Sequence, residues 1–110
     1  MHTMKVQTKY YNLLKEGIKT IELRLWDEKR QQIQVGDTIT FSDLSAPDDT
    51  FVAEVIALHR APDFDKLCDT ISPKQAGFTT NEELMDCLQE FYSPENQQKY
   101  GVVGIEIKRI

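Results

Sequence analysis

The chain has 110 residues and a net charge of −5, with 28% charged and 40% hydrophobic residues, a balance typical of a folded domain rather than a disordered chain. No apolar run approaches the roughly 20 residues of a membrane-spanning helix, and the first residues lack the apolar core of a signal peptide. Two cysteines and two histidines are too few for a disulfide scaffold or a zinc finger. We therefore expect a cytoplasmic protein in which residues 1–110 form one domain with reduced thiols, no metal site and no cofactor.

Charge is distributed unevenly along the sequence. The first 30 residues carry seven basic and four acidic side chains, whereas residues 63–95 carry eight acidic and two basic ones. The overall negative charge argues against binding to long double-stranded DNA, because such affinity comes mainly from neutralised phosphates. It leaves room for a basic cleft that takes a nucleotide or a short RNA segment. Ordinary solvated surface explains the same charges equally well, and the acidic stretch would also suit a protein partner.

Periodicity predicts the first three elements. A short strand over Lys5–Gln7 precedes a helix over Thr8–Glu16, in which Thr8 caps the first turn and Gly17 ends the helix in a left-handed conformation. From Ile18 the period changes to two, which predicts a strand with one apolar and one polar face. The polar face of this strand carries Thr20, Glu22, Arg24 and Trp26.

The middle of the chain continues with strands. A turn at Val35–Asp37 leads into an alternating strand over Thr38–Asp43. Residues 45–49 contain one proline and two aspartates and are predicted to form a loop. The nearly continuous apolar run Phe51–Leu58 predicts a strand covered on both faces, and a short helix is expected over residues 64–68.

The last third predicts two helices and a closing strand. Thr80, with Glu83 three residues later, matches a capping box that begins a helix over Asn81–Phe91, followed by one further turn from Pro94. The closing strand spans Gly101–Ile110. The predicted buried stripe of the long helix is Leu84, Leu88 and Phe91, and the residues interpreted as core packing are Cys68 and Cys87. Short strands interrupted by helices favour an α+β fold, a small barrel of about five to six strands with helices over its open side.

The segment from Gly17 to Arg24 is the best candidate for a functional site. Lys19 stands at the start of the strand, and Glu22 and Arg24 lie two residues apart on one pleated face. If that face lines a cavity, an ammonium, a carboxylate and a guanidinium share a small volume. Such a set suits a ligand that combines phosphate with a base or ribose edge. The alternative is an exposed face with an ion pair worth under about 1 kcal/mol.

Three motifs in order carry a family resemblance. They are Gly17-x-Lys19-x-x-Glu22-x-Arg24, the turn Gly36-Asp37 before Thr38-Ile39-Thr40-Phe41, and the closing Tyr100-Gly101-Val102-Val103-Gly104-Ile105-Glu106. Over Met4–Lys108 the chain resembles the ASCH domain family of the PUA-like superfamily, in particular its small stand-alone microbial members. The resemblance implies a PUA-like β-barrel whose cleft contains Lys19, Glu22 and Arg24, and a role linked to RNA or nucleotides. Members of the family range from RNA binders to hydrolases of N4-acetylcytidine or RNA.

The hydrolase branch of the family is matched only in part. Its deacetylating members use a lysine, a threonine nucleophile and a glutamate. Lys19 matches the lysine, but Glu22 stands where the threonine belongs, and the glutamate position falls near Gly77. A carboxylate is a poor replacement for a hydroxyl as acyl acceptor, and nothing in the sequence activates Thr20. If the protein is an enzyme, we expect Lys19 and Glu22 to be its proton-transfer pair.

Three more residues are candidate ligand contacts, each with a structural alternative. Trp26 can stack on a base or cover the barrel rim, Asp43 can reach the cleft or cap a turn, and Tyr100 can line the cleft or pack beneath the last helix. His59 has no evident partner in the sequence and is interpreted as structural.

The sequence therefore predicts a binding module. Its ligand is a nucleotide or modified nucleoside, free or in RNA, held by Lys19, Glu22 and Arg24 with contributions from Trp26, Asp43 and Tyr100. The alternative is a hydrolase that uses the same cleft. No membrane partner is expected, and the sequence leaves the oligomeric state open.

Overall fold

The computed structural model describes residues 2–110, which form five strands and four α-helices. In chain order the elements are β1 (His2–Val6), α1 (Thr8–Glu16), β2 (Ile21–Leu25), β3 (Thr38–Asp43), β4 (Ala46–Ala61), α2 (Phe64–Leu67), α3 (Asn81–Phe91), α4 (Pro94–Tyr100) and β5 (Val102–Arg109). The strands form one curled half-barrel in the order β1-β3-β4-β5-β2. The α+β class and the barrel of five to six strands are thereby confirmed. None of the helices in residues 2–110 is long and apolar enough to cross a bilayer.

The curl of the sheet depends on β4, which pairs antiparallel with β3 through its first half and with β5 through its second. The register slips between Val55 and Ala57, and such irregularities bend a sheet. β2 continues the sheet antiparallel to β5, whereas β1 adds parallel to β3. Because β1 and β2 are the two ends of the strand order, each keeps one edge that no strand of residues 2–110 covers.

Two apolar clusters hold the helices against this sheet. The first packs Tyr11 and Leu14 of α1 onto buried side chains of β3, β4 and β5, Phe41 among them. The second joins Ile21 and Leu23 of β2 to buried residues of α2 and α3. Since side chains alternate along a strand, the burial of Ile21 and Leu23 against the helices turns Glu22 and Arg24 towards the gap between β1 and β2.

The start of β4 corrects the prediction of a loop over residues 45–49. The strand already begins at Ala46, which pairs with Asp43, whereas the neighbouring residue Ser42 pairs with Thr50. Residues 47–49 therefore bulge out between two ladder positions. The proline and the aspartates suit that bulge, where no ladder hydrogen bond is required of them.

The prediction that β4 is covered on both faces is wrong. Phe51, Ala53 and Val55 are buried, while Val52 and Ile56, which point to the opposite face, are exposed. The run is apolar on both faces, but the helices of this fold cover only one face over residues 51–56.

Local helix signals were mostly right. Gly17 ends α1 with φ 80°, and the Thr80 side chain accepts a hydrogen bond from the Glu83 N–H at the start of α3. Two details need correction. Thr8 does not cap α1, because its hydroxyl donates to Asp43 instead. Phe91 does not belong to the buried stripe of α3, because it is 55% exposed.

Candidate functional site

A cavity of about 220 Å³ opens between the uncovered edges of β1 and β2, beneath α1 and α3. We call it the cleft. The strand edges contribute Lys5, Val6, Glu22, Leu23 and Arg24, and the helices contribute Tyr10, Leu84, Cys87, Leu88 and Phe91. Lys19, which precedes β2, also lines it. The opening is thus the place where the half-barrel fails to close.

Lys19, Glu22 and Arg24 meet on the floor of the cleft. The Lys19 Nζ lies 3.0 Å from Glu22 Oε1, and Arg24 donates to Glu22 Oε2 from Nη2 at 2.8 Å and from Nε at 3.1 Å. The side chains of Lys19 and Glu22 are only 6% and 7% exposed. The structure therefore brings the three residues together, and their contact with a ligand stays a prediction.

The floor remains charged despite its burial. Burial by itself raises the pKa of the Glu22 carboxyl, but the attraction and hydrogen bonds of Lys19 and Arg24 outweigh it and hold that pKa below its ordinary value. For Arg24, burial acts to lower the pKa, and the carboxylate of Glu22 overcomes this and raises it. Opposite charges in contact favour the ionised form of both partners. Two cations and one carboxylate leave the floor with one positive charge.

Arg24 also connects the two edges of the sheet. Its Nη2 donates to the backbone carbonyl of Lys5 at 3.0 Å, which places one β2 side chain across the gap to β1. The backbone ladder is absent at this position of the strand order. A side chain performs the bridging that a hydrogen-bonded strand pair performs elsewhere in the sheet.

The turn over residues 73–78 fixes the position of Lys19. The Gln75 carbonyl accepts the N–H groups of Thr20 and Ile21, both at 2.9 Å. Gly77 adopts φ 91°, and a Cβ there would lie 3.1 Å from Lys19 Cδ. The absence of a side chain at Gly77 therefore lets the aliphatic stem of Lys19 lie against this turn.

Aromatic side chains form the walls above the charged floor. The Tyr10 ring lies 5.7 Å from the Phe78 ring and 5.0 Å from the Lys19 ammonium. Its hydroxyl forms a 3.4 Å hydrogen bond with Cys87 Sγ, and burial, together with that bond, raises the pKa of Tyr10 to about 12. Phe91 and Tyr92 complete the wall. Phe91, more than half exposed at the rim, leaves aromatic surface for a ligand.

The sequence matches the family model of the ASCH domain over residues 4–110. The chain belongs to the ASCH domain family. Its sequence is 34% identical to that of hypothetical protein PH0355. The crystal structure of that protein matches with a TM-score of 0.85 over 98% of this chain and 97% of that one. Protein PF0455 from Pyrococcus furiosus is 32% identical, with a TM-score of 0.76 over 99% and 96% of the two chains.

More distant structures share only the fold of this ASCH domain. A variant of ZmASCH from Zymomonas mobilis is 12% identical, with a TM-score of 0.67 over 98% of this chain and 73% of that one. The curated proteins include no significant match to this sequence. The half-barrel is thus the PUA-like ASCH fold.

Three predicted contacts of this ASCH domain do not line the cleft. Trp26 packs at the edge of the first apolar cluster, with the Arg60 guanidinium 4.7 Å from its ring centroid. Asp43 is buried and accepts hydrogen bonds from Thr8 Oγ1 and the Ser45 N–H. The structural alternatives for these two residues describe their surroundings better. For Tyr100, the Lys99 ammonium lies 5.0 Å from the centroid of its ring.

The two remaining candidates lie elsewhere in the ASCH domain. Thr20 does not line the cleft but a second depression, which it shares with Glu106 and which borders the cleft at Lys19. The prediction that parity turns Thr20 to the face of Glu22 fails because Thr20 precedes the strand. His59, for which the sequence indicated no partner, has its Nε2 2.8 Å from Glu106 Oε1.

Sequence reasoning missed the helical and aromatic walls of the cleft. Cys87 was interpreted as core packing but lines the cleft, as does Phe91. Both residues continue the spacing of Leu84 and Leu88 on α3. The width of the apolar stripe on α3 could have indicated these walls. One edge of the stripe faces the apolar core and the other faces the cleft.

Proposed function

We propose that this ASCH domain binds a nucleotide or a modified nucleoside, free or in single-stranded RNA, with the base inside the cleft. The observation that carries the proposal is the buried group of Lys19, Glu22 and Arg24 beneath aromatic walls. A polar floor with fixed geometry suits the hydrogen-bonding edge of a base, and aromatic walls suit its ring faces.

The charge of the cleft supports this ligand class. Its lining has three cations, Lys5, Lys19 and Arg24, and the single carboxylate of Glu22, in a protein whose net charge is −5. The positive charge is therefore concentrated where the ligand would bind. Lys5 is exposed at the mouth, where it can contact a phosphate that stays outside.

The size of the cleft supports a single base rather than a whole nucleotide inside it. The volume of about 220 Å³ corresponds to roughly seven waters at about 30 Å³ each. Sites for drug-sized ligands are larger, about 300–1,000 Å³. A ring fits such a space with its sugar and phosphate at the mouth, which is the arrangement of an unstacked base in a single strand.

Two observations favour binding over the hydrolase alternative. A general base works best with a pKa near the operating pH, whereas the two cations hold the pKa of Glu22 below its ordinary value. No serine or threonine of residues 2–110 lines the cleft. Cys87 is the one thiol among the described residues that line the cleft, and it is hydrogen-bonded to the Tyr10 hydroxyl.

The test is a titration with the four ribonucleosides, N4-acetylcytidine and short single-stranded RNA, followed by amide NMR shifts and calorimetry. We expect saturable binding with shifts in β1, β2 and α3. Phe91→Ala should weaken binding by about fivefold to 150-fold, because base–aromatic stacking is worth about 1–3 kcal/mol. Val35→Ala, which removes an equally exposed apolar side chain outside the cleft, should bind as the wild type does.

The same samples separate binding from catalysis. Chromatography of the incubated N4-acetylcytidine and RNA should return them unchanged. If the wild-type protein forms a hydrolysis product and Lys19→Ala does not, the hydrolase alternative would replace the proposal. The absence of saturable shifts with every compound would refute both.

A further inference from the structure

We infer that the cleft discriminates between bases by their exocyclic group and takes keto bases (guanine, hypoxanthine or uracil) in preference to the amino bases adenine and cytosine. The inference rests on the proposed function and adds the class of base to it. The inference is based on the hydrogen-bonding groups of the floor. Most acceptors there already have partners, whereas several N–H donors of Lys19 and Arg24 do not.

The two cations have N–H groups to spare. The Lys19 ammonium has three N–H donors, of which one meets Glu22 at 3.0 Å while another side faces the Tyr10 ring. Arg24 uses Nε and Nη2 on Glu22 and on the Lys5 carbonyl. Its Nη1 makes no hydrogen bond to any residue of 2–110, and Nη1 carries two N–H groups. Both side chains line the cleft.

Most of the acceptor sites on the floor are already engaged. Glu22 Oε2 receives two hydrogen bonds from Arg24, and Oε1 receives the ammonium of Lys19. The Lys5 carbonyl receives Arg24 as well. The floor has one net positive charge, which favours the partial negative charge of a keto oxygen over the partial positive charge of an amino group.

The other polar groups of the cleft do not reverse this preference. The Tyr10 hydroxyl is paired with Cys87. Gln7 is exposed at the rim, and its amide can donate or accept, as can the hydroxyl of Tyr92. Discrimination between a keto and an amino group therefore falls to Lys19 and Arg24.

A keto base meets these donors with acceptors. Arg and Lys bind the O6 and N7 atoms of guanine, an edge that carries acceptors only. An amino group placed against the donors of Lys19 and Arg24 opposes N–H to N–H, so neither side gains a hydrogen bond there. A buried polar group left without a partner weakens binding by about tenfold or more.

Two matched pairs of nucleosides test the inference on the wild-type protein. Inosine and adenosine differ in carrying a keto group or an amino group at C6, with the linked change at N1, and uridine and cytidine differ in the same way at C4 and N3. We expect inosine and uridine to bind about tenfold more tightly than their partners in calorimetric titrations. Short oligouridylate and oligocytidylate, titrated alongside, distinguish a base presented by RNA from a free nucleoside, and the uridine strand should bind more tightly.

A variant locates the discrimination. Lys19→Met keeps an unbranched apolar stem but removes the donors, so the ratio between inosine and adenosine should fall towards one. The wild-type comparison decides the inference even where Lys19→Met does not fold. Equal affinities within both pairs, or tighter binding of adenosine and cytidine, would overturn the inference and leave the proposed function intact. Binding that follows phosphate alone, with inorganic phosphate as competitor, would overturn it too, and no binding by any nucleoside or strand would overturn both.

Discussion

Glu22 is the residue on which the floor of the cleft depends. It is buried and compensates two cations whose heads would otherwise repel each other. A buried ion pair contributes little net stability compared with apolar packing, but removal of one partner costs about 3–5 kcal/mol, because the remaining charge is left buried without compensation. The arrangement is therefore better explained by a need for fixed polar groups in the cleft than by stability.

Glu22→Gln should lower the free energy of unfolding by about 3–5 kcal/mol at neutral pH. It should also flatten the acid side of the stability curve. The pKa of Glu22 is below its ordinary value of 4.5 in the folded protein, so the unfolded chain takes up this proton first as the pH falls. The stabilisation is thus complete above the unfolded pKa and is lost as the pH drops through the folded one.

Urea denaturation at intervals from pH 7 to pH 3 measures both effects. Glu54→Gln is the control, because Glu54 is exposed on β4 and its replacement should change neither the stability nor the slope. The remaining slope in Glu22→Gln should come from groups such as Asp37 and Asp49, whose pKa values are lowered by hydrogen bonds from His2 and Tyr11. An acid slope in Glu22→Gln as steep as that of the wild type would contradict this assignment.

At the scale of elements, the turn over residues 73–78 works as a support for Lys19. Gly77→Ala places a methyl group 3.1 Å from Lys19 Cδ at φ 91°, whereas Gly36→Ala meets no atom within 4 Å at φ 96°. Both substitutions should cost about 1–2 kcal/mol for the left-handed backbone. Only Gly77→Ala should also weaken ligand binding, because the buried stem of Lys19 has to shift.

The pair of glycine variants carries its own control. Thermal unfolding should show a loss of stability in both variants, larger in Gly77→Ala because the added methyl group also displaces the buried stem of Lys19. Titration with the same nucleoside should show weaker binding only in Gly77→Ala. Equal affinities in the two variants would mean that the turn does not hold Lys19 in its binding position.

Elements defined by local signals could be predicted, and the walls of the cleft could not. Three signals act within a few residues and can be recognised in the sequence. They are the glycine that ends α1, the cap of α3 and the two-residue period around Glu22. Phe91 has the same helical spacing as Leu84. However, the apolar core ends near the last turn of α3, so Phe91 is exposed whereas Leu84 is buried. Trp26 has the parity of Glu22, yet it lies beyond β2, where its N–H bonds to Gly101.

At the scale of the whole molecule, the strand order creates the site. The order β1-β3-β4-β5-β2 ends in two strands that each leave one edge without a neighbour. Edge strands usually need protection from pairing with other chains. Here both edges line the cleft under α1 and α3. No local pattern in the sequence states which strands become edges, so the position of the cleft came from the family resemblance alone.

Arg24 should hold the two edges together, and Arg24→Lys tests this. Lysine keeps the charge, but its compact ammonium cannot reproduce the planar fork that reaches Glu22 and the Lys5 carbonyl at once. A hydrogen bond that involves a charged group contributes about 1.5–3 kcal/mol, so local opening of β1 should become about tenfold to a hundredfold more frequent. Native-state hydrogen exchange of the β1 amides that bond to β3 measures this opening.

Arg109→Lys is the matched control for that experiment. The Arg109 Nη1 also donates to a distant backbone carbonyl, that of Lys15, at 2.8 Å, but on the exposed surface. Its replacement should leave exchange in β1 unchanged. If Arg24→Lys leaves that exchange unchanged as well, the helices alone hold β1 in place and Arg24 serves only the ligand. If exchange rises in Arg24→Lys and a bound nucleoside restores it, the ligand completes the closure that the strand order leaves open.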